Sequence, residues 1–351
     1  MSTKLVKGNE AIIYGALLGG VTHFFGYPIT PASEIAHAAA AYLPQAGRVF
    51  LQAESEVSSI NMVYGAASAG ARVMTASSGP GISLMAEGIS YIAGAELPCV
   101  IVDIQRAGPG LGNIWPEQSD YNMVTKGGGH GNYKNIVLAP NSVQEMCDFT
   151  YRAFEIADTY RMCVFILSDA YIGQMMESIT FRAKPKEGSR KEWAVYADRE
   201  SKHNLITSIF MNQQIQGDHN IKLQNKYKKV AAELVEYEEY ETGDAEVVLT
   251  AFGITSRICL SAVQKMRKEG YKVGLFRPIT LSPFPAARLR ELAERAETMV
   301  VAELNNGQMA DDVEHYIFGN APVLRYNWYG GIIPRTNEII DRIKRDCYGK
   351  A

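Results

Sequence analysis

Apolar residues in this chain fall into short β-branched runs, and these alternate with longer stretches of helical spacing. Gly8 to about Gly19 has the helical pattern, with Asn9 placed as a cap and Glu10 in the first turn. Thr22–Gly26 reads as a short buried strand, Ala32–Tyr42 as a helix, Arg48–Gln52 as a strand and Glu54–Gly70 as a helix. Arg72–Ala76 is a strand that breaks into SSGPG, Ser77–Gly81, before a helix ending near Gly94. Pro98–Ile104 is an apolar, β-branched run, the pattern of a central parallel strand. The stretch Arg106–Tyr133 carries too many glycines for regular structure and is read as a long loop. Strands at Asn135–Ala139 and Met162–Ser168 then flank a helix at Ser142–Thr159.

From about Glu177 the pattern changes. Charged, Tyr and Gln residues dominate, and Asp218–Glu241 reads as one polar helix. Alternation resumes at Glu246 with strands EVVLTAFG, KVGLFRPI, TMVVAEL and Pro322–Tyr326, and helices Ser256–Lys268, Pro285–Glu297, Asp311–Tyr316 and Thr336–Asp346. The expected architecture is α/β throughout. Residues 1–180 form a doubly wound parallel sheet, 181–243 a charged connecting segment, and 244–351 a smaller α/β domain. In such a sheet the ligand crevice lies at the strand C-termini. GYPITP (Gly26–Pro31), SSGPG and the loop opened by Arg106 all sit there, and AESE (Ala53–Glu56) follows the strand ending near Gln52.

Composition changes this picture little. Of 351 residues, 47% are hydrophobic and 21% charged, which suits folded domains with ample core. A net charge of −3 gives no electrostatic case for a nucleic acid or an anionic membrane. The cysteines, Cys99, Cys147, Cys163, Cys259 and Cys347, are scattered with no CxxC pair, which fits a reducing cytoplasm and offers no cluster ligand set. Ala11–Phe25 is apolar enough to resemble a signal peptide. It contains Thr22 and His23 and runs straight into GYPITP without a cleavage-like end, so a helix followed by a strand is the better reading. No other stretch is long enough to span a bilayer.

Candidate chemistry gathers at the strand ends. Glu54 and Glu56 open a helix, where the dipole alone would favour carboxylates. Two residues apart, they cannot face the same way, so at most one is a buried acid–base group. Thr30, between Ile29 and Pro31, offers either turn chemistry or a hydroxyl for a substrate carboxylate. Arg106 offers either a surface ion pair or a planar fork for a 2-oxo acid. SSGPG can be an anion-binding nest or a tight turn. GPGLG (Gly108–Gly112) lacks the dinucleotide fingerprint, and KGGGHG around His130 reads first as a flexible loop.

With YPITP, AESE, SSGPG and Arg106 together, the chain resembles the alpha subunit of the 2-oxoacid:ferredoxin oxidoreductases across nearly its whole length. FRPITLSPFP and VVAELNNGQM resemble that family's transketolase C-terminal-like domain, so the first domain is expected to be the pyrimidine-binding one. The resemblance implies conversion of a 2-oxo acid, coenzyme A and oxidised ferredoxin to acyl-CoA, carbon dioxide and reduced ferredoxin. It implies thiamine diphosphate as cofactor, with Glu56 hydrogen-bonding the aminopyrimidine ring and Glu54 structural. Thr30 and Arg106 fall to the substrate, and Pro28, Ile29, Ser78 and Gly79 join Glu56 around the cofactor. The family's usual TSGPG reads SSGPG here, which keeps a hydroxyl at both Ser77 and Ser78.

There is no GDG followed by a distant Asn and no cysteine set. The diphosphate, Mg2+ and a [4Fe-4S] cluster are therefore expected on a beta subunit, with gamma and ferredoxin-like subunits also expected from the resemblance. The stretch from Trp115, WPEQSDYNMVTKGGGHGNYKNIVLAP, resembles the 2-oxoisovalerate (branched-chain) members, with 2-oxoglutarate the alternative substrate. Two other readings stay open: the beta subunit of a lipoyl-linked 2-oxo acid dehydrogenase, and a scaffold subunit without chemistry of its own.

Overall fold

Cys99–Gln105, seven residues with no exposed side chain, is the central strand of a seven-stranded sheet. On one side of it lie Val73–Ser77, His23–Gly26 and, at the edge, Val49–Gln52; on the other lie Cys163–Asp169 and Ile136–Leu138. All of these pair in parallel. The inner strands Val73–Ser77, Cys99–Gln105 and Cys163–Asp169 are buried along their whole length by helices on the sheet faces, so their sequences are mostly apolar instead of alternating. The helices Gly8–Leu18 and Val143–Tyr160 pack on one another as part of that cover. The computed structural model describes residues 3–349.

The seventh strand, Thr280–Ser282, comes from the C-terminal half of the chain and pairs antiparallel to Ile136–Leu138. The two halves are thus interlocked in one sheet. The second sheet orders Val323–Asn327, Thr298–Glu303, Val247–Thr250 and Val273–Pro278 in parallel, and Tyr237–Tyr240 closes its edge antiparallel.

Three elements differ from the sequence expectation. The polar helix runs Gln213–Glu233 and not Asp218–Glu241. It stops because Tyr237 stacks on Phe276 at 5.2 Å, while Glu238 and Glu239 pair with Arg277 and Arg288, contacts that only a strand can present together. The helix itself lies on the first domain: Lys226 Nζ reaches Glu96 Oε1 at 3.0 Å and the Arg161 carbonyl at 3.1 Å. The stretch Thr3–Lys7 is a strand paired with Met176–Thr180, although TKLVK is too polar to show it. The long glycine loop contains a short helix, Tyr121–Thr125.

WPEQSDY is the clasp between the halves. Gln118 is fully buried; its Nε2 donates to the Phe252 carbonyl at 2.9 Å and its Oε1 accepts from the Leu304 N–H at 3.0 Å. Glu117 accepts from the N–H of Gly108 at 3.1 Å and of Gly330 at 2.7 Å, which ties the glycine-rich loop to the second domain.

Candidate active site

The motifs converge as strand ends should. The N–H of Ala53 donates to the Gly26 carbonyl at 3.0 Å, placing AESE beside GYPITP. The proline-bracketed loop is then held from three sides. Asn9 Nδ2 donates to the Pro31 carbonyl at 2.7 Å, Gln174 Nε2 to the same oxygen at 3.3 Å, and Arg106 Nη1 to the Thr30 carbonyl at 2.8 Å. Arg106 Nη2 takes the Leu111 carbonyl at 2.9 Å. Its fork therefore joins the two loops first, and only its Nε is left buried without a partner.

Ser55, not Glu54, starts the AESE helix. Its hydroxyl accepts from the Ser58 N–H at 3.2 Å, a side-chain cap that makes Glu56 the first helical residue. Glu54 is left exposed outside, whereas Glu56 is 6% exposed. Among the described residues Glu56 makes no hydrogen bond or ion pair. It packs against SSGPG: a Cβ added at Gly81 would lie 2.6 Å from Glu56 Oε1 and 2.0 Å from Ser77 Oγ. Only glycine leaves room for both oxygens at this position.

Gly79, the first residue of the helix Gly79–Gly94, is constrained in the same way. A Cβ there would lie 2.8 Å from both carboxylate oxygens of Asp120. The hydroxyls of Ser77 and Ser78, fully buried, have no partner. Neither have both oxygens of the fully buried Asp103, nor Asp120 Oδ2. Burial holds the Asp103 carboxyl well above the usual carboxylate range, and the charge of Asp120 adds to this. Burial likewise pushes Asp120 up to about 7, with Glu117 reinforcing and Arg106 opposing.

Two cavities open at this end of the sheet. The larger, about 800 Å³, lies between the halves and is lined by Gly79, Arg106, Gly108, Asp120, Asn305 and Tyr329 among others. The second, about 510 Å³, is lined by Thr30, Glu34, Trp115, Tyr171 and Gln174 among others. Thr30 is exposed and Pro28 and Ile29 are half-buried. The structure thus brings Thr30 to Arg106, and Glu56 to Ser77. Glu56 lines neither of these two cavities. Asp103, Glu117 and Asp120 were not singled out from the sequence: the two loop acids carry no local signal of burial, whereas Asp103, an acid inside an apolar strand, could have been noticed.

The buried carboxyl without a partner, the two unbonded hydroxyls and the glycines that admit no Cβ fit the aminopyrimidine ring of thiamine diphosphate, whose nitrogens need such partners. The large cavity beside them leaves room for a substrate.

Comparisons with known proteins agree. Residues 14–242 match the family described as pyruvate flavodoxin/ferredoxin oxidoreductase, thiamine diP-bdg, and residues 245–339 match pyruvate:ferredoxin oxidoreductase core domain II. The chain is 56% identical to ketoisovalerate oxidoreductase subunit VorB of Methanothermobacter marburgensis, over 98% of each chain. It is 37% identical to 2-oxoglutarate synthase subunit KorA of Methanocaldococcus jannaschii, over 97% of this chain and 98% of that one. Among solved structures it superposes on the 2-oxoglutarate:ferredoxin oxidoreductase of Magnetococcus marinus, with a TM-score of 0.89 and 29% identity. That match covers 98% of this chain and 65% of the other. A split-gene transketolase, with a TM-score of 0.62 at 14% identity, shares the fold. The chain belongs to the pyruvate flavodoxin/ferredoxin oxidoreductase family and is an alpha-type subunit of a 2-oxoacid:ferredoxin oxidoreductase, with a thiamine diphosphate-binding first domain.

Proposed function

We propose that this chain supplies the aminopyrimidine-binding half of the active site in a complex that oxidatively decarboxylates a branched-chain 2-oxo acid, with coenzyme A as acyl acceptor and ferredoxin as electron acceptor. The observation that carries this reading is Glu56, a carboxyl buried at a helix start and, among the described residues, bonded to nothing. A buried carboxyl is stable only with a partner, and a ring nitrogen able to share its proton is one. Thiamine diphosphate, when bound, supplies the carbon nucleophile and the electron sink for decarboxylation.

The chain's own residues then have separate tasks. Glu56 holds a proton at the ring nitrogen, and Ser78 and Gly79 shape the wall against which the ring lies. Arg106 fixes the Thr30 loop, so that the Thr30 hydroxyl is held to orient the substrate carboxylate and the guanidinium adds its positive charge. The branched-chain acid is favoured over 2-oxoglutarate because relatives named for ketoisovalerate are the more similar across the full chain.

The diphosphate, its Mg2+ and the [4Fe-4S] cluster are assigned to a beta subunit, with gamma and ferredoxin-like subunits completing a cytoplasmic complex. The cysteines of this chain support that division: Cys99 and Cys163 are in-register neighbours inside the sheet, and Cys147 and Cys259 are core residues. The test is viologen reduction by the co-purified complex across a panel of 2-oxo acids. 2-Oxoisovalerate should be used best. Activity with none of them, or transfer to a lipoyl domain in place of viologen, would refute the assignment.

A further inference from the structure

Arg106 and Thr30, joined at 2.8 Å, stand between the two cavities: Arg106 lines the larger and Thr30 the smaller. A 2-oxo acid carries its side chain two bonds from the carboxylate carbon. Once the carboxylate is held here, the side chain is directed into one cavity or the other. Their walls differ in chemistry. The larger presents the acids Glu117 and Asp120 and the amides of Asn305 and Gln308. The smaller, about 510 Å³, presents Ile114, Trp115, Pro116, Ala170, Tyr171 and Met175. An alkyl group gains by leaving water only against a wall of the second kind.

This apolar wall is tied to the residue that fixes the Thr30 loop. Arg106 forms an antiparallel β-bridge with Pro116, and the Ala107 N–H donates to the Trp115 carbonyl at 2.9 Å. The Trp115 N–H donates to Asn113 Oδ1 at 2.9 Å, and Asn113 Nδ2 donates to the Gly330 carbonyl at 3.2 Å. Gly331 packs on the tryptophan, since a Cβ there would lie 2.2 Å from Trp115 Cβ. Trp115 is nonetheless 63% exposed, Ile114 53% and Tyr171 47%. Single exposed apolar residues are ordinary, but three along one cavity mark a binding surface.

Among the described residues that line this cavity, Glu34 alone is charged. Burial would raise its carboxyl, but hydrogen bonds from Gln174, its own N–H and Asn9, with the charge of Lys7, hold it below the ordinary value. It is an anion at neutral pH. Lys7 lies 3.4 Å from it but does not line the cavity. A second substrate carboxylate would therefore meet an anion there and no cation.

We propose that the cavity at Thr30 receives the hydrocarbon chain of the 2-oxo acid, with Ile114, Trp115 and Tyr171 favouring branched alkyl groups and Glu34 excluding a second carboxylate. The inference rests on the reading of Thr30 and Arg106 as the substrate's carboxylate site. The test is kcat/KM of the co-purified complex for 2-oxoisovalerate, pyruvate and 2-oxoglutarate. W115A should lower the ratio of 2-oxoisovalerate to pyruvate by about tenfold or more, because a methyl group is too short to use the wall. E34Q should raise the ratio of 2-oxoglutarate to 2-oxoisovalerate by about fivefold or more, by removing a like charge. The side chain of Trp115 is exposed and glutamine matches glutamate in shape, so neither change opens the core. A merely structural defect would lower all three substrates together and leave both ratios unmoved. An unmoved ratio in W115A would overturn the apolar wall, and one in E34Q the exclusion by Glu34, while the branched-chain activity itself would stand. Turnover of no 2-oxo acid by the unaltered complex would instead remove the reading of the site, and the inference with it.

Discussion

Arg106 and Thr30 stand 76 residues apart, and the guanidinium of one holds the carbonyl of the other at 2.8 Å. The same fork takes the Leu111 carbonyl, so one side chain sets the distance between the proline loop and the glycine-rich loop. Lysine carries a single ammonium and cannot grip two carbonyls from a plane. R106K should therefore lose about a hundredfold in kcat/KM in the assembled complex, the scale of a misplaced substrate contact. Unfolding by urea should be nearly unchanged. Turnover equal to the unaltered complex would show that the loops are set by something else.

The packing of Glu56 and Ser77 around Gly81 depends on one missing atom. A methyl group at Gly81 would meet Ser77 Oγ at 2.0 Å and Glu56 Oε1 at 2.6 Å, and both must move. G81A should cost about 1–3 kcal/mol of stability, the usual range for overpacking. Because the clash is partly with the Ser77 hydroxyl, S77A placed in the G81A background should recover some of that loss. The pair should be non-additive in a double-mutant cycle of urea midpoints. Strict additivity would mean that the backbone, not the hydroxyl, absorbs the methyl group.

What could be read from the sequence divides along the range of the contacts. The strand at Pro98–Ile104 was legible because burial on both faces leaves a run that is apolar except for Asp103, and the structure shows it at Cys99–Gln105. Tyr237–Tyr240 was read as helix because its reason for being a strand lies some forty residues away, in Arg277 and Phe276. Thr280–Ser282 has no local sign that it crosses back to the first sheet. The site divides in the same way. Glu54 and Glu56 were placed at a helix start by the helical run that follows them, and the structure begins that helix at Glu56 with Ser55 as its cap. Asp120 looks like any loop acid, and only the fold sets its carboxylate against Gly79 and its N–H on Gln105.

Gln118 is the central link between the halves. Its amide joins the Phe252 carbonyl and the Leu304 N–H, and all three groups are away from water. Leucine has nearly the same volume and none of the bonds. Q118L leaves the buried Leu304 N–H unpaired, at about 1–3 kcal/mol, while the Phe252 carbonyl keeps the Thr255 hydroxyl at 2.7 Å. Its thermal unfolding should begin at a lower temperature, and amide exchange should speed up first at Leu304 and its neighbours. Protection at Leu304 equal to that of the unaltered chain would show that the halves are held by other contacts.

The pH dependence of stability offers a direct view of Asp120. Its carboxyl rises from an ordinary value of 3.8 to about 7 in the folded chain, chiefly through burial, with Glu117 adding and Arg106 opposing. The folded state thus binds the proton more tightly than the unfolded state does. Stability from this group is greatest below its unfolded value and is lost as pH rises through the folded one. The difference in unfolding free energy between the unaltered chain and D120N should therefore fall steadily from about pH 4 to about pH 7 and then level off. Asp103 is coupled to Asp120, and burial holds it high as well, so the slope in D120N is reduced but not removed. The measurement is a urea titration of both proteins at several pH values. A difference that grows with rising pH would mean that Asp120 is ionised and paired in the folded chain, most directly with Arg106.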